Sequence, residues 1–143
     1  AKHRYHVPLA RCIYTGKAPE KIQNLSKIIK EGLNAVLNKV KPGVTGHELE
    51  NIWKKVINKY GVKKDSRIGY PIGIGYSPTW GELTTSFRKG DKNVLKENMT
   101  FHCIPALWLQ NYGIVISESF IVKKNGPERL THYEQKLFEL SDF

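Results

Sequence analysis

Only two cysteines, Cys12 and Cys103, occur in the 143 residues, and neither stands in a CxxC pair. That count gives no disulfide framework and no Cys/His metal cluster, and leaves two thiols suited to packing. HExxH and HxxEH are absent, and no two aspartates fall at strand spacing. His3 and His6, three apart, are the nearest approach to a ligand pair. GxSxG is missing and no serine has an evident His/Asp set behind it, which excludes a serine hydrolase of that type. No apolar run approaches the ~18 residues of a membrane span, and no secretory leader pattern is present. The expectation is a cytoplasmic protein with no membrane contact.

Acidic residues are scarce, 13 against 23 basic ones, for a net charge of +10. Such a balance raises nucleic-acid binding. The lysines, however, are scattered along helices and turns, and no nucleic-acid-binding signature accompanies Arg4 and Arg11. A lysine-rich solvated surface is the reading, with no nucleic-acid partner.

What is present suits one domain with a real core. Pro19-Glu20 opens a helix, and Ile22, Leu25, Ile29, Leu33, Val36 and Val40 recur at helical steps until Pro42-Gly43. Thr45 and Glu48 form a capping box for a second helix, in which Leu49, Ile52, Trp53, Val56, Ile57 and Tyr60 make the apolar stripe and Gly61 the stop. Trp53 is expected in the core and His47 in solvent. Strand-like runs cover Arg4 to Tyr14, Met99 to Pro105 and Ile114 to Val122, with Asn111-Tyr112-Gly113 and Asn125-Gly126-Pro127 as turns. His132 to Phe143 reads as a short terminal helix. Without βαβ alternation this is α+β: a mostly antiparallel curved sheet with a pair of helices on one face. Ala1 leads straight into a strand-like run, so residues 1–143 are expected to be a piece of a longer catalytic domain.

Between Arg67 and Glu82 lie glycines 69, 73, 75 and 81, with Pro71, Tyr70, Tyr76 and Trp80 among them. Interior glycines mark either a plain loop or the close approach of a ligand or second backbone. Pro71 confines any strand there to an edge. The favoured reading is a pocket floor walled by Tyr70, Tyr76 and Trp80. Glu118 is the sharpest single residue, because Ile-Val-Ile-Ser-Glu-Ser-Phe-Ile-Val is an oily setting for a carboxylate. Strict alternation puts it with Ile114, Ile116 and Phe120, where a charge must be paired, liganded or neutralised. An outward-facing Glu is the alternative. His102, on a face with Thr100 and Ile104, is either a satisfied structural residue or a catalyst.

The glycine-rich stretch, Met-Thr-Phe-His-Cys-Ile-Pro, the hairpin and Ser-Glu-Ser-Phe-Ile-Val together resemble the pita-bread family of creatinase, prolidase and the methionine aminopeptidases, from Arg4 to Thr131. Only the C-terminal portion of that catalytic domain is covered. Peptidases of the family carry two aspartates, one histidine and two glutamates as metal ligands. The resemblance places Pro8 at the second Asp, Tyr70 at the His and Ile104 at the first Glu, with Glu118 matching the last. Pro, Tyr and Ile do not supply those ligands. The resemblance therefore implies a branch with no metal and no other cofactor, as in creatinase, and the runs around Tyr70 and Ser-Glu-Ser look most like the ectoine hydrolases.

Such enzymes open the cyclic amidine of ectoine to N-acetyl-diaminobutyrate, so the implied partner is a small cationic molecule, ectoine or a related amidine. Full-length members are expected to be homodimers. An aromatic face and a carboxylate suit an amidinium, which nominates Tyr70, Trp80, Trp108 and Glu118. Glu118, His102 and Glu82 are the expected catalytic groups, and Arg11 and Arg67 the expected partners of a substrate carboxylate. On this reading Glu118→Gln leaves folding nearly intact and removes turnover in the full-length enzyme. The competing readings are an Xaa-Pro metallopeptidase of the same fold and a non-catalytic binding module.

Overall fold

The computed structural model describes residues 1–75 and 83–140. Two helices, α1 (Glu20–Leu37) and α2 (Gly46–Lys59), pack on each other. Pro19 stands at the N-cap of α1 with φ −57°, and Thr45 forms the reciprocal capping box with Glu48. In α2 the Thr45 hydroxyl accepts from the Glu48 amide at 3.2 Å while the Glu48 carboxylate takes the Thr45 amide at 2.8 Å. Two of the orphan amides at the helix start are satisfied that way. Gly61 follows at φ +69°, a conformation that only glycine adopts cheaply.

The helices meet where Gly32 faces Trp53. A Cβ at Gly32 would lie 2.4 Å from Trp53 Cε3, so the indole occupies the space a side chain would need. Trp53 is fully buried, as expected from its place in the apolar stripe. His47 is not simply solvated: its Nδ1 accepts from the Gly90 amide at 3.1 Å and its Nε2 lies 3.0 Å from Asn51 Nδ2.

Eight strands complete the described residues: β1 (Cys12–Thr15), β2 (Gly69–Pro71), β3 (Thr100–Cys103), β4 (Ala106–Trp108), β5 (Gly113–Val115), β6 (Glu118–Lys123), β7 (Gly126–Arg129) and β8 (Leu137–Leu140). A four-stranded antiparallel sheet runs β2-β3-β6-β7, β4 and β5 form a hairpin, and β1 pairs with β8 in parallel. The fold is α+β as expected, with one correction. The stretch expected as a terminal helix is strand β8, because Leu137 to Leu140 find ladder partners in Cys12 to Thr15, more than a hundred residues earlier. Local periodicity cannot report such a partner.

The run from Arg4 to Tyr14 contributes only its end to a strand; Lys2 and Tyr5 instead close a tight turn with His3 and Arg4 at positive φ. The single return strand expected from Ile114 to Val122 is two strands, β5 and β6, separated at Ile116-Ser117. Pro71 does lie on an edge strand. Phe87, Phe101 and Phe120 form the aromatic centre of the core, with ring centroids 4.9 to 6.4 Å apart. Pairs of this kind contribute roughly 0.5–1.5 kcal/mol each beyond their burial. Gly69 makes room for them: a Cβ there would sit 2.2 Å from Phe87 Cδ2. That glycine admits a core ring and not a ligand, which corrects one part of the pocket-floor expectation. At Gly73 nothing lies within 4 Å of an added Cβ.

Candidate functional site

Register decides which side chains meet. Tyr70 on β2 pairs with His102 on β3, and His102 pairs with Ser119 on β6. Directly opposed residues project to the same face of a sheet, so these three share one side. Cys103 pairs with Gly69 and Glu118, one residue out of phase, and these belong to the other side. Glu118 and Tyr70 are therefore separated by the sheet itself.

On the first face, His102 Nδ1 lies 2.8 Å from the Tyr70 hydroxyl and Nε2 lies 2.8 Å from Ser117 Oγ. The rings of Tyr70 and His102 meet edge to face, with centroids 5.2 Å apart. Ser117 sits just before β6 and accepts the Ala10 amide at 2.7 Å. The Ser119 hydroxyl donates to the Pro8 carbonyl at 2.7 Å, so residues 8–10 are tied down on this side. Arg67 stands over the Tyr70 ring, 5.2 Å from its centroid. His102 is buried and its pKa falls to about 4, because burial penalises the charged ring and His6 adds to that penalty, with Glu118 opposing. Burial also raises the Tyr70 phenol above its usual value, with Arg67 pulling the other way. At neutral pH the pair is thus an uncharged imidazole beside an intact phenol.

On the second face Glu118 is fully buried and fully engaged. Arg11 Nη2 donates to Oε1 at 2.6 Å, Arg129 Nη2 to the same oxygen at 2.9 Å, and Gln135 Nε2 to it at 3.1 Å. Oε2 accepts from Arg129 Nε at 3.3 Å and from the Thr131 hydroxyl. Beside it, burial and the Glu118 charge push the Cys103 thiol far up. Glu118 therefore does not share a face with Tyr70, which corrects the expectation that the two hold one amidinium between them; the charge expected to need a partner has two guanidinium groups. Arg11, expected at a substrate carboxylate, is the first of them.

Of the other expected site residues, Arg67 is next to Tyr70, while Trp108 ends β4, 60% exposed, with its ring packed on Gly113 of β5. Trp80, Tyr76 and Glu82 lie outside the described residues. Sequence reasoning missed Ser117, Arg129, Thr131 and Gln135. The signal for Ser117 was its place in Ser-Glu-Ser: if Glu118 points to one face, its neighbours point to the other.

Residues 1–124 match metallopeptidase family M24. The chain belongs to that family. It is 42% identical over 134 residues to an uncharacterised hydrolase/peptidase of Sinorhizobium fredii, covering 94% of this chain and 34% of that protein. It is 37% identical over 136 residues to the ectoine hydrolase of Halomonas elongata, with 94% and 34% covered. An Xaa-Pro dipeptidase of Pyrococcus horikoshii is 28% identical over 136 residues, with 93% and 37% covered. Among solved M24-like structures, the X-Pro aminopeptidase of Thermotoga maritima superposes at a TM-score of 0.86 with 25% identity, covering 96% of this chain and 38% of that one. The chain forms part of the pita-bread fold and spans about a third of the length of the curated relatives it matches.

Membership of a metallopeptidase family implies metal, and the described donors do not fit one. Among the described residues the Tyr70–His102 face offers imidazole, phenol and hydroxyl groups and no carboxylate, while both Glu118 oxygens are bound to cations and neutral donors on the far face. Among the described residues no three His, Cys, Asp or Glu side chains converge. A hard divalent ion needs carboxylates among the donors held around one point, and neutral phenol and hydroxyl oxygens do not replace them.

Proposed function

We propose that this chain is part of an M24 hydrolase that, without a metal ion, opens a C–N bond in a small cationic amidine, with ectoine as the foremost substrate. The observation that carries the reading is the Tyr70 hydroxyl 2.8 Å from His102 Nδ1, at the position where the family resemblance puts a metal-binding histidine. Hydrolysis of an amidine needs a water directed at the amidine carbon and a proton for the departing nitrogen. A buried, uncharged imidazole beside a phenol that keeps its proton suits the second task. The guanidinium of Arg67 over the Tyr70 ring supports a role for it in pairing with a substrate carboxylate. The 37% identity to an ectoine hydrolase supports the substrate, and the absence of any helix long and apolar enough to cross a membrane, among the described residues, is compatible with a cytoplasmic enzyme.

The second reading, an Xaa-Pro metallopeptidase, draws on the 28% identity to an Xaa-Pro dipeptidase. Turnover of ectoine, followed by chromatography of N-acetyl-diaminobutyrate before and after exhaustive chelation, separates the two. The expected result is turnover that survives chelation, with Tyr70→Phe lowering kcat by roughly 10²–10⁴-fold, the usual share of a positioned acid or base. Cleavage of Xaa-Pro dipeptides restored by divalent metal, with no ectoine turnover, overturns it.

A further inference from the structure

Ser117 is fully buried, and its hydroxyl accepts the Ala10 amide on one side and faces His102 Nε2 on the other. A hydroxyl has a single proton to give, and a buried one left without an acceptor is costly. Among the described residues, His102 Nε2 is the acceptor within hydrogen-bond reach of Ser117 Oγ. The proton therefore lies on the Ser117–Nε2 line, and Nε2 carries a lone pair. In an uncharged ring the hydrogen must then be on Nδ1. Nδ1–H donates to the Tyr70 oxygen, and the phenolic proton is free to point away from the sheet.

We propose that Ser117 is a positioning residue that fixes the His102 tautomer and so makes Tyr70 a hydrogen donor to substrate. The inference rests on the hydrolytic reading above for its chemistry, though not for its geometry. As the water oxygen bonds to the amidine carbon and the C–N bond breaks, Tyr70 gives its proton to the leaving nitrogen. The phenolate left behind is held by Nδ1–H of His102, and a proton derived from the attacking water restores it. His102 stays uncharged throughout. Ser117 touches no reacting atom.

The backbone supports the same assignment. Arg11 Nη1 donates to the Ser117 carbonyl at 2.5 Å while Nη2 holds Glu118, so the turn before β6 is fixed from the far side of the sheet. Glu118, sought as a catalyst from sequence, then acts through Ser117's placement.

The test is nitrogen NMR of the enzyme labelled at the histidine rings, with His102 picked out of the five histidines by its loss in His102→Gln. At neutral pH the expected signals are a protonated Nδ1 and an unprotonated Nε2. The reverse pattern in the unaltered protein overturns the proposal whatever the substrate proves to be. In Ser117→Ala the Nε2–H form gains population and kcat for ectoine falls roughly 10–100-fold with KM little changed, while Ser117→Thr restores the Nδ1–H form. Groups that orient metal-ligating imidazoles through the second ring nitrogen have effects of that size, and the same orienting hydrogen bond is at work here. An unchanged tautomer in a folded Ser117→Ala protein also overturns it. If the Nδ1–H form is found and ectoine is not turned over, the substrate reading fails and the tautomer assignment stands.

Discussion

Arg11 reaches Glu118 with Nη2 at 2.6 Å and holds it beside the Ser117 carbonyl, which Nη1 of the same guanidinium takes at 2.5 Å. Its Nε donates further to the Glu134 carbonyl at 2.7 Å, so one side chain ties the segment before β1, the start of β6 and the approach to β8.

The two arginines on Glu118 are unequal, and that makes a prediction. The Arg11 side chain is 7% exposed and that of Arg129 is 40% exposed. Removing one partner of a buried pair leaves a charge stranded and costs about 3–5 kcal/mol, whereas exposed pairs contribute about 0–1 kcal/mol. Arg11→Ala removes the more buried partner but leaves Glu118 with Arg129, Thr131 and Gln135, so the expected loss is at the lower end, about 3 kcal/mol, against less than about 1 kcal/mol for Arg129→Ala. Urea unfolding of both variants checks this, and equal losses would contradict it.

Glu118→Gln inverts the same logic. The sequence alone suggested a change with little effect on folding. With two guanidinium groups converging on a carboxylate that is 0% exposed, the neutral amide leaves Arg11 unneutralised, and a loss of about 3 kcal/mol follows. A lowered urea midpoint, present before any activity is assayed, is the expected observation; a midpoint equal to that of the unaltered protein would restore the earlier view.

Gly32→Ala tests the helix pair. The substitution improves helix propensity by about 1 kcal/mol, yet the new methyl would stand 2.4 Å from two atoms of a fully buried Trp53 ring. Overpacking in a filled core costs about 1–3 kcal/mol. The steric cost wins, so the variant melts lower than the unaltered protein. A higher melting temperature would mean that the indole has somewhere else to go.

How much of this could be read in advance depends on range along the chain. Both helices, the capping box, the core place of Trp53 and the edge place of Pro71 follow from residues within a few positions of one another. β8 does not, because its partner β1 lies at the opposite end of the chain, and Lys-Leu-Phe-Glu-Leu alone suits a helix as well as a strand. The site was half legible. Tyr70 and His102 were both singled out, but nothing in either run says that they are opposed across β2 and β3. Glu118 was correctly marked as a buried charge in need of a partner, yet a shift of one residue in register decides whether it meets Tyr70 or Arg11. Arg129 and Thr131, which hold it, stand in an unremarkable polar run after a turn.

The pKa of His102 gives the last prediction, in pH dependence. Its folded value of about 4 lies below the ordinary 6.5. Between those values the unfolded chain binds the extra proton, so stability rises with pH through this window and is insensitive to His102 above it. The penalty is complete below about pH 4, on the order of 3 kcal/mol, and reaches about 2 kcal/mol at pH 5. Carboxylates titrate nearby, so the comparison is between the unaltered protein and His102→Gln, unfolded in urea at pH 7.5 and pH 5. The unaltered protein is expected to lose about 2 kcal/mol more than the variant on acidification. Parallel losses would mean that His102 takes up its proton without leaving the sheet, and the uncharged imidazole behind Tyr70 would have to be abandoned.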